Sequence, residues 1–205
     1  MTDPNYYRRA TYLTSATQRP QFPADSGFEV AFAGRSNSGK SSAINLLTSN
    51  RHLARTSKTP GRTQMINFFA LDDLRRLVDL PGYGYAKVAQ QTKRNWDMLL
   101  DDYLRSRHSL QGVVLLMDCR HPLKPFDLQF IQWCASAKLS LHILLTKSDK
   151  LTRSAMSQAL QGVSAQLKVL MPDASVQLFS SLSKTGTDNL ILVLDKWLNV
   201  EQNSN

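Results

Sequence analysis

Cysteine is nearly absent. Cys119 and Cys134 are the only two in 205 residues, and they show no close metal-ligand spacing. They read as small buried hydrophobes rather than a disulfide or a metal site. Long apolar runs are lacking as well: Val113–Met117 and Leu190–Leu194 are among the longest, far short of the ~20 residues a membrane span requires. The opening Met1-Thr2-Asp3-Pro4-Asn5-Tyr6-Tyr7-Arg8-Arg9 has no apolar core of a signal peptide. Repeats and low-complexity segments are missing too. These absences exclude a secreted disulfide scaffold, a helical membrane protein and a solenoid, and the expected setting is a reducing cytoplasm with no membrane partner.

Acidic residues are in short supply: 16 Asp and Glu face 25 Lys and Arg, for a formal net charge of +9. The deficit is local. Between Asn50 and Thr63 stand Arg51, Arg55, Lys58 and Arg62 with no carboxylate, and Arg75, Arg76, Lys87, Lys93 and Arg94 follow. Each cation alone reads as a solvated face, but the sum points to a polyanionic partner, RNA or an RNA-rich particle. The histidines (His52, His108, His121, His142) are scattered, with no cysteine or carboxylate set beside them that would make a metal site.

What is present is spaced with purpose. Gly34-Arg35-Ser36-Asn37-Ser38-Gly39-Lys40-Ser41 is a complete GxxxxGKS loop, preceded by the apolar Phe28–Ala33 and followed by Ser42–Leu47. Strand, glycine loop and helix in that order form the context that a phosphate-binding loop needs. Its glycines let backbone N–H groups turn around phosphate oxygens, and the helix N-terminus adds unpaired donors and a partial positive charge. Lys40 is expected on the β- and γ-phosphates and the Ser41 hydroxyl on Mg²⁺. A second motif, Asp79-Leu80-Pro81-Gly82, closes the strand Leu74–Val78. Its Asp is placed to hold the Mg²⁺ hydration shell opposite Ser41, and Gly82 to bring its N–H to the γ-phosphate and to hinge. A third, Thr146-Lys147-Ser148-Asp149, ends the strand Leu141–Leu145. Asp149 can accept both N1–H and N2–H₂ of guanine, a donor pair that adenine lacks, while Lys147 lies along the base. After the last strand, Phe179-Ser180-Ser181-Leu182 can bring backbone N–H groups to the guanine O6, a weak signal by itself.

Apolar strands alternate with helical periods, which predicts an α/β fold with a mostly parallel sheet of about six strands and helices on both faces. The strands are Glu29–Ala33, Met65–Leu71, Leu74–Asp79, Val113–Asp118, Leu141–Thr146 and Val176–Phe179. Only Asp72-Asp73 separates the second from the third, so those two form an antiparallel hairpin at the sheet edge. Helical stripes run through Trp96–Leu104, Met156–Leu170 and Leu190–Leu198. The division expected is a polar N-terminal extension over 1–27, one domain over 28–198 and a tail over 199–205. No heptad run or long apolar edge asks for a dimer, so a monomer is expected.

In this order GRSNSGKS, TPGRTQ, DLPGYGYA, TKSD and SSL resemble the EngB (YihA/YsxC) group of TRAFAC-class GTPases, over about residues 20–200. The resemblance implies a Ras-like P-loop domain. It also implies a role as a GTP-dependent switch in assembly of the bacterial large ribosomal subunit, with rRNA and ribosomal proteins as partners and a requirement in cell division and septation. It makes Lys58–Gln64 the first switch, with Gly61, Arg62, Thr63, Gln64 and Met65 near the nucleotide. Thr63 is the expected Mg²⁺ ligand when the γ-phosphate is present; Thr59 is the rival hydroxyl, and the residues do not choose between them. Lys40, Thr63 and Gly82 are then the catalytic set. Ras-type enzymes place a water-orienting glutamine after the DxxG glycine, whereas this chain has Tyr83, so slow intrinsic hydrolysis stimulated by a partner is expected. Asn37 is similar to the residue with which potassium-activated relatives hold K⁺ beside the phosphates; a purely loop-shaping role is the alternative, and both stand. A different class, a GTP-gated adaptor of a division complex with no need for hydrolysis, uses the same motifs. A small-molecule kinase does not, since TKSD would then have no purpose.

Overall fold

The computed structural model describes residues 5–54, 65–83 and 90–200, with side chains left out over 90–97. Strands β1 (Thr11–Ala16), β2 (Phe28–Gly34), β3 (Ile66–Ala70), β4 (Arg75–Asp79), β5 (Leu110–Asp118), β6 (Ser140–Thr146) and β7 (Ser175–Leu178) alternate from β2 onward with helices α1 (Lys40–Leu47), α2 (Gln90–Ser106), α3 (Pro125–Ser136), α4 (Arg153–Leu170) and α5 (Thr187–Trp197). The seven strands lie in one sheet in the order β1-β3-β4-β2-β5-β6-β7. β4, β2, β5, β6 and β7 are parallel, while β3 runs antiparallel to both β4 and β1.

Strand residues alternate between two apolar layers. Ala31, Ala33, Val113, Leu115 and Met117 face Tyr103 of α2, Phe130 and Ile131 of α3, and Val163 of α4. Val30, Phe32, Val114, Leu116 and Leu144 face Ile44 of α1 and Leu190 and Leu194 of α5. Both faces are covered, which is why the central strands read as unbroken apolar runs rather than polar–apolar alternation.

The predicted hairpin is present, but it is not the edge, and the sheet has seven strands where six were expected. The seventh, β1, comes from the stretch read as a polar extension. That stretch is anchored by two buried tyrosines. The Tyr6 hydroxyl donates to Asp72 in the β3–β4 turn at 2.7 Å, and the Tyr7 hydroxyl to Asp195 in α5 at 2.6 Å.

A buried ionic cluster fastens the start of the central strand. Glu29 is fully buried in β2; it accepts from Arg76 Nε at 2.8 Å, from Arg107 Nη2 at 2.6 Å and from the Tyr103 hydroxyl at 3.0 Å. The two guanidiniums reach on to carbonyls of the connecting segment, Pro23 and Ala24 from Arg107 and Ser26 from Arg76. Neutralising the carboxylate takes from Arg76 its carboxylate partner and leaves Arg107 with Asp25 at 3.6 Å. Glu29→Gln is expected to destabilise the chain by roughly 3 kcal/mol, read as a lower urea midpoint at unchanged slope; a midpoint equal to that of the native chain would show that the cluster contributes nothing.

Candidate nucleotide site

The site stands at the carboxyl ends of β2, β4, β5 and β6, the edge at which parallel α/β sheets leave a crevice. From β2 the chain turns through Gly34–Gly39 into α1. A Cβ on Gly34 would sit 2.5 Å from Ser38 Oγ and 2.6 Å from the Leu116 carbonyl, so only glycine fits there. Gly39 caps α1 in a left-handed conformation at φ 101°, and Asn37 is also left-handed at φ 61°. The loop is thus pulled into a ring ahead of the first free N–H groups of α1.

β4 brings Asp79 beneath this ring. Asp79 is buried and its Oδ1 has no hydrogen-bond partner. Burial pushes its carboxyl upward in pKa, opposed by the nearby Lys40 charge, and burial pushes Lys40 downward, opposed by Asp79. Asn67 also bonds the Asp79 carboxylate, but Oδ1 stays without a partner, and Lys40 is half-buried, which suits the two to a metal and a phosphate respectively. Gly82 packs against the loop: a Cβ there would lie 3.2 Å from Ser36 N and 3.4 Å from Lys40 Nζ. Ser36 N donates to the Tyr83 carbonyl at 3.0 Å, joining the segment after Asp79 to the loop. The side chain of Tyr83 turns the other way. It is buried, stacks on Phe130 of α3 at 5.6 Å and donates its hydroxyl to Asp127 at 2.9 Å. Asp127 in turn caps α3 by accepting from Lys124 N at 2.9 Å.

β6 ends in the TKxD turn. The Thr146 hydroxyl shares its one proton between the Ser38 carbonyl at 2.7 Å and the Met117 carbonyl at 3.0 Å. Lys147 Nζ donates to the Asn37 carbonyl and to Asp118 Oδ2, both at 2.9 Å. Ser148 is buried and its N–H reaches the Phe179 carbonyl. The Ser180 hydroxyl donates to Asp149 Oδ1 at 2.6 Å, and with Lys150 it holds that carboxyl below the usual carboxylate range.

Lys40, Asp79 and Gly82 therefore converge on one ring, and Asp149 is locked to the Ser180 loop. Leu80 and Phe179, expected near the nucleotide, bury their side chains in the core and offer only backbone. Met65 is partly exposed just before β3. Gly61, Arg62, Thr63 and Gln64, with Thr59, lie outside the described residues. Among those described, no group of three or more His, Cys, Asp or Glu could hold a metal ion by itself, and no helix is long and apolar enough to cross a membrane. The sequence reading missed Asp118 and Asp127. A cavity of about 300 Å³ opens on the outer flank of the loop, between Arg35–Ser38, Asp118, Lys124 and Asp127.

A doubly covered parallel sheet with a GxxxxGKS ring, a DxxG strand end and a TKxD turn defines a P-loop GTPase, and the comparisons agree. The model of the 50S ribosome-binding GTPase family matches residues 29–147. A probable GTP-binding protein EngB of Nitrosococcus oceani is 57% identical over 194 residues, covering 95% of this chain and 97% of the relative. One from Coxiella burnetii is 52% identical over 195 residues, covering 95% of each. Among solved structures, a probable GTP-binding protein engB superposes with a TM-score of 0.66 at 19% identity, over 84% of this chain and 100% of that one. Era in complex with MgGDPNP and 16S ribosomal RNA gives 0.63 at 16%, over 88% of this chain and 59% of that one; these two likenesses speak to the fold. The chain belongs to the EngB family of GTP-binding proteins, and it is a GTPase.

Proposed function

We propose that this GTPase is a slow switch in assembly of the bacterial large ribosomal subunit, working in the cytoplasm, with normal division and septation depending on it. The match to the 50S ribosome-binding GTPase model carries the reading, and the net charge of +9 supports it, since an RNA-rich particle is a polyanion.

Within the site, Lys40 neutralises the β- and γ-phosphates and the N–H groups of Gly39–Ser41 at the start of α1 surround them. Mg²⁺ fits the donor set: Asp79 Oδ1 is a buried anionic atom without a partner, placed to accept from a water on the ion while the Ser41 hydroxyl and, in the GTP state, Thr63 ligate it. When bound, Mg²⁺ offsets the charge developing between the β- and γ-phosphates. Asn37, exposed at the rim with its carbonyl held by Lys147, leaves its side chain for a K⁺ ion. Asp149 accepts from guanine N1–H and N2–H₂, and backbone N–H groups of Ser180 and Ser181 approach O6. With Tyr83 turned toward Asp127, the residue after Gly82 orients no water, which supports slow intrinsic turnover and stimulation by the particle.

The test is co-sedimentation of the purified chain with large ribosomal subunits and their precursors. Binding with a non-hydrolysable GTP analogue, weak with GDP and falling steeply with salt, is the expected result. Failure to bind any particle in either nucleotide state at low salt would overturn the assembly role and favour the GTP-gated adaptor.

A further inference from the structure

Two non-glycine residues flank the site in left-handed backbone conformations, Asn37 at φ 61° and Lys147 at φ 59°. Each such residue stores on the order of 1 kcal/mol or more of strain and persists only when its surroundings hold it. One bond joins the two: Lys147 Nζ donates to the Asn37 carbonyl at 2.9 Å. A lysine side chain loses up to ~2 kcal/mol of rotamer freedom when fixed, so something must hold this ammonium in place before a nucleotide arrives. That group is Asp118.

Asp118 ends β5 and lies opposite Thr146 in the β5–β6 register, directly beside Lys147. Its Oδ2 accepts from Lys147 Nζ at 2.9 Å and from Arg120 Nη2 at 2.7 Å; its Oδ1 accepts from Arg120 Nε at 2.9 Å and from Arg120 N at 3.1 Å. Both oxygens are engaged, so the carboxylate cannot rotate away from the lysine. The Asp118 side chain is 20% exposed and that of Lys147 35%, more sheltered than the open surface pairs that contribute almost nothing.

We infer that Asp118 is a positioning residue for guanine-nucleotide binding, acting through Lys147. It holds the ammonium against the phosphate loop, and so presets both the left-handed loop around Asn37 and the lysine stem on which the base lies. This rests on the chain binding guanine nucleotides and is independent of the ribosomal role.

A double-mutant cycle on the full chain tests it, with N-methylanthraniloyl-GDP as the probe. Asp118→Asn keeps the shape and loses the charge. It is expected to raise the Kd about tenfold in the native background, and by less than about twofold when Lys147 is already methionine, because the residue through which it acts is then gone. Equal weakening in both backgrounds would mean that Asp118 supports the fold rather than the lysine, and no weakening in the native background would mean that it positions nothing; either overturns the inference. If Asp118→Asn does not fold, Arg120→Met at a more exposed position replaces it in the same cycle. About threefold weakening, abolished by Lys147→Met, then supports the role, and its absence overturns it. Native protein that does not bind the probe would overturn guanine-nucleotide binding, and this inference with it.

Discussion

Replacing Lys40 by alanine is expected to slow GTP hydrolysis at saturating nucleotide roughly 10³-fold, the loss seen when a preorganised charge aimed at a developing anion is removed. Asp79 is buried and Lys40 half-buried beside it, and desolvation drives the lysine down and the aspartate up in pKa. Each is thus held in a place that penalises its charge, which a phosphate on one side and a cation on the other would relieve. Removing the lysine leaves Asp79 buried without its cation, a cost that protonation of the carboxyl limits, since burial already pushes its pKa upward. The unliganded variant should therefore melt several degrees lower yet still fold, while single-turnover hydrolysis collapses. Lys40→Arg should not rescue the rate. Its planar guanidinium is wider than the ammonium and does not act as the same compact point charge. Turnover of Lys40→Ala within tenfold of the native rate would remove Lys40 from the chemistry.

Much of this site was legible because its parts are local. GxxxxGKS, DxxG and TKxD each sit within one strand-to-helix or strand-to-turn passage, and the five core strands announce themselves as apolar runs. What escaped depends on pairing across distance. β1 reads as polar, since Thr11, Thr14 and Ser15 give no clean alternation; only hydrogen bonds to β3 and the anchoring of Tyr6 and Tyr7 on Asp72 and Asp195 make it a strand. Asp118 closes a strand in the way any surface aspartate could, and its meaning lies in a lysine 29 positions later. Ser180 looked like an ordinary turn residue until its hydroxyl was found on Asp149. The sequence also told that Tyr83 is not a glutamine, but not that its ring leaves the phosphate side for Phe130 and Asp127; the partner helix α3 lies over forty residues further on.

Asp149→Asn should change which base the protein accepts rather than whether it folds. The carboxylate is oriented by Ser180 at 2.6 Å, and an asparagine carbonyl can accept the same hydroxyl, so the loop keeps its brace. What changes is the edge offered to the base. Guanine presents two donors, N1–H and N2–H₂, which in the proposed mode would meet the two carboxylate oxygens; in the variant one of these becomes an amide donor facing a donor. A mismatch of this kind costs more than a lost contact, because both donors remain without partners under the bound base. Affinity for GDP is expected to fall roughly 10³-fold or more. Xanthine carries a carbonyl where guanine carries its amino group, so the asparagine amide can donate to it while its oxygen accepts from N1–H. Binding of XDP should therefore rise above that of GDP in the variant, the reverse of the native order. Asp149 stands at the end of β6, apart from Lys40 and Asp79, so XTP at saturation should be hydrolysed within a few-fold of the native rate with GTP. Titration of both diphosphates against both proteins decides the matter: an equal loss for GDP and XDP would mean that Asp149 shapes the loop without reading the base.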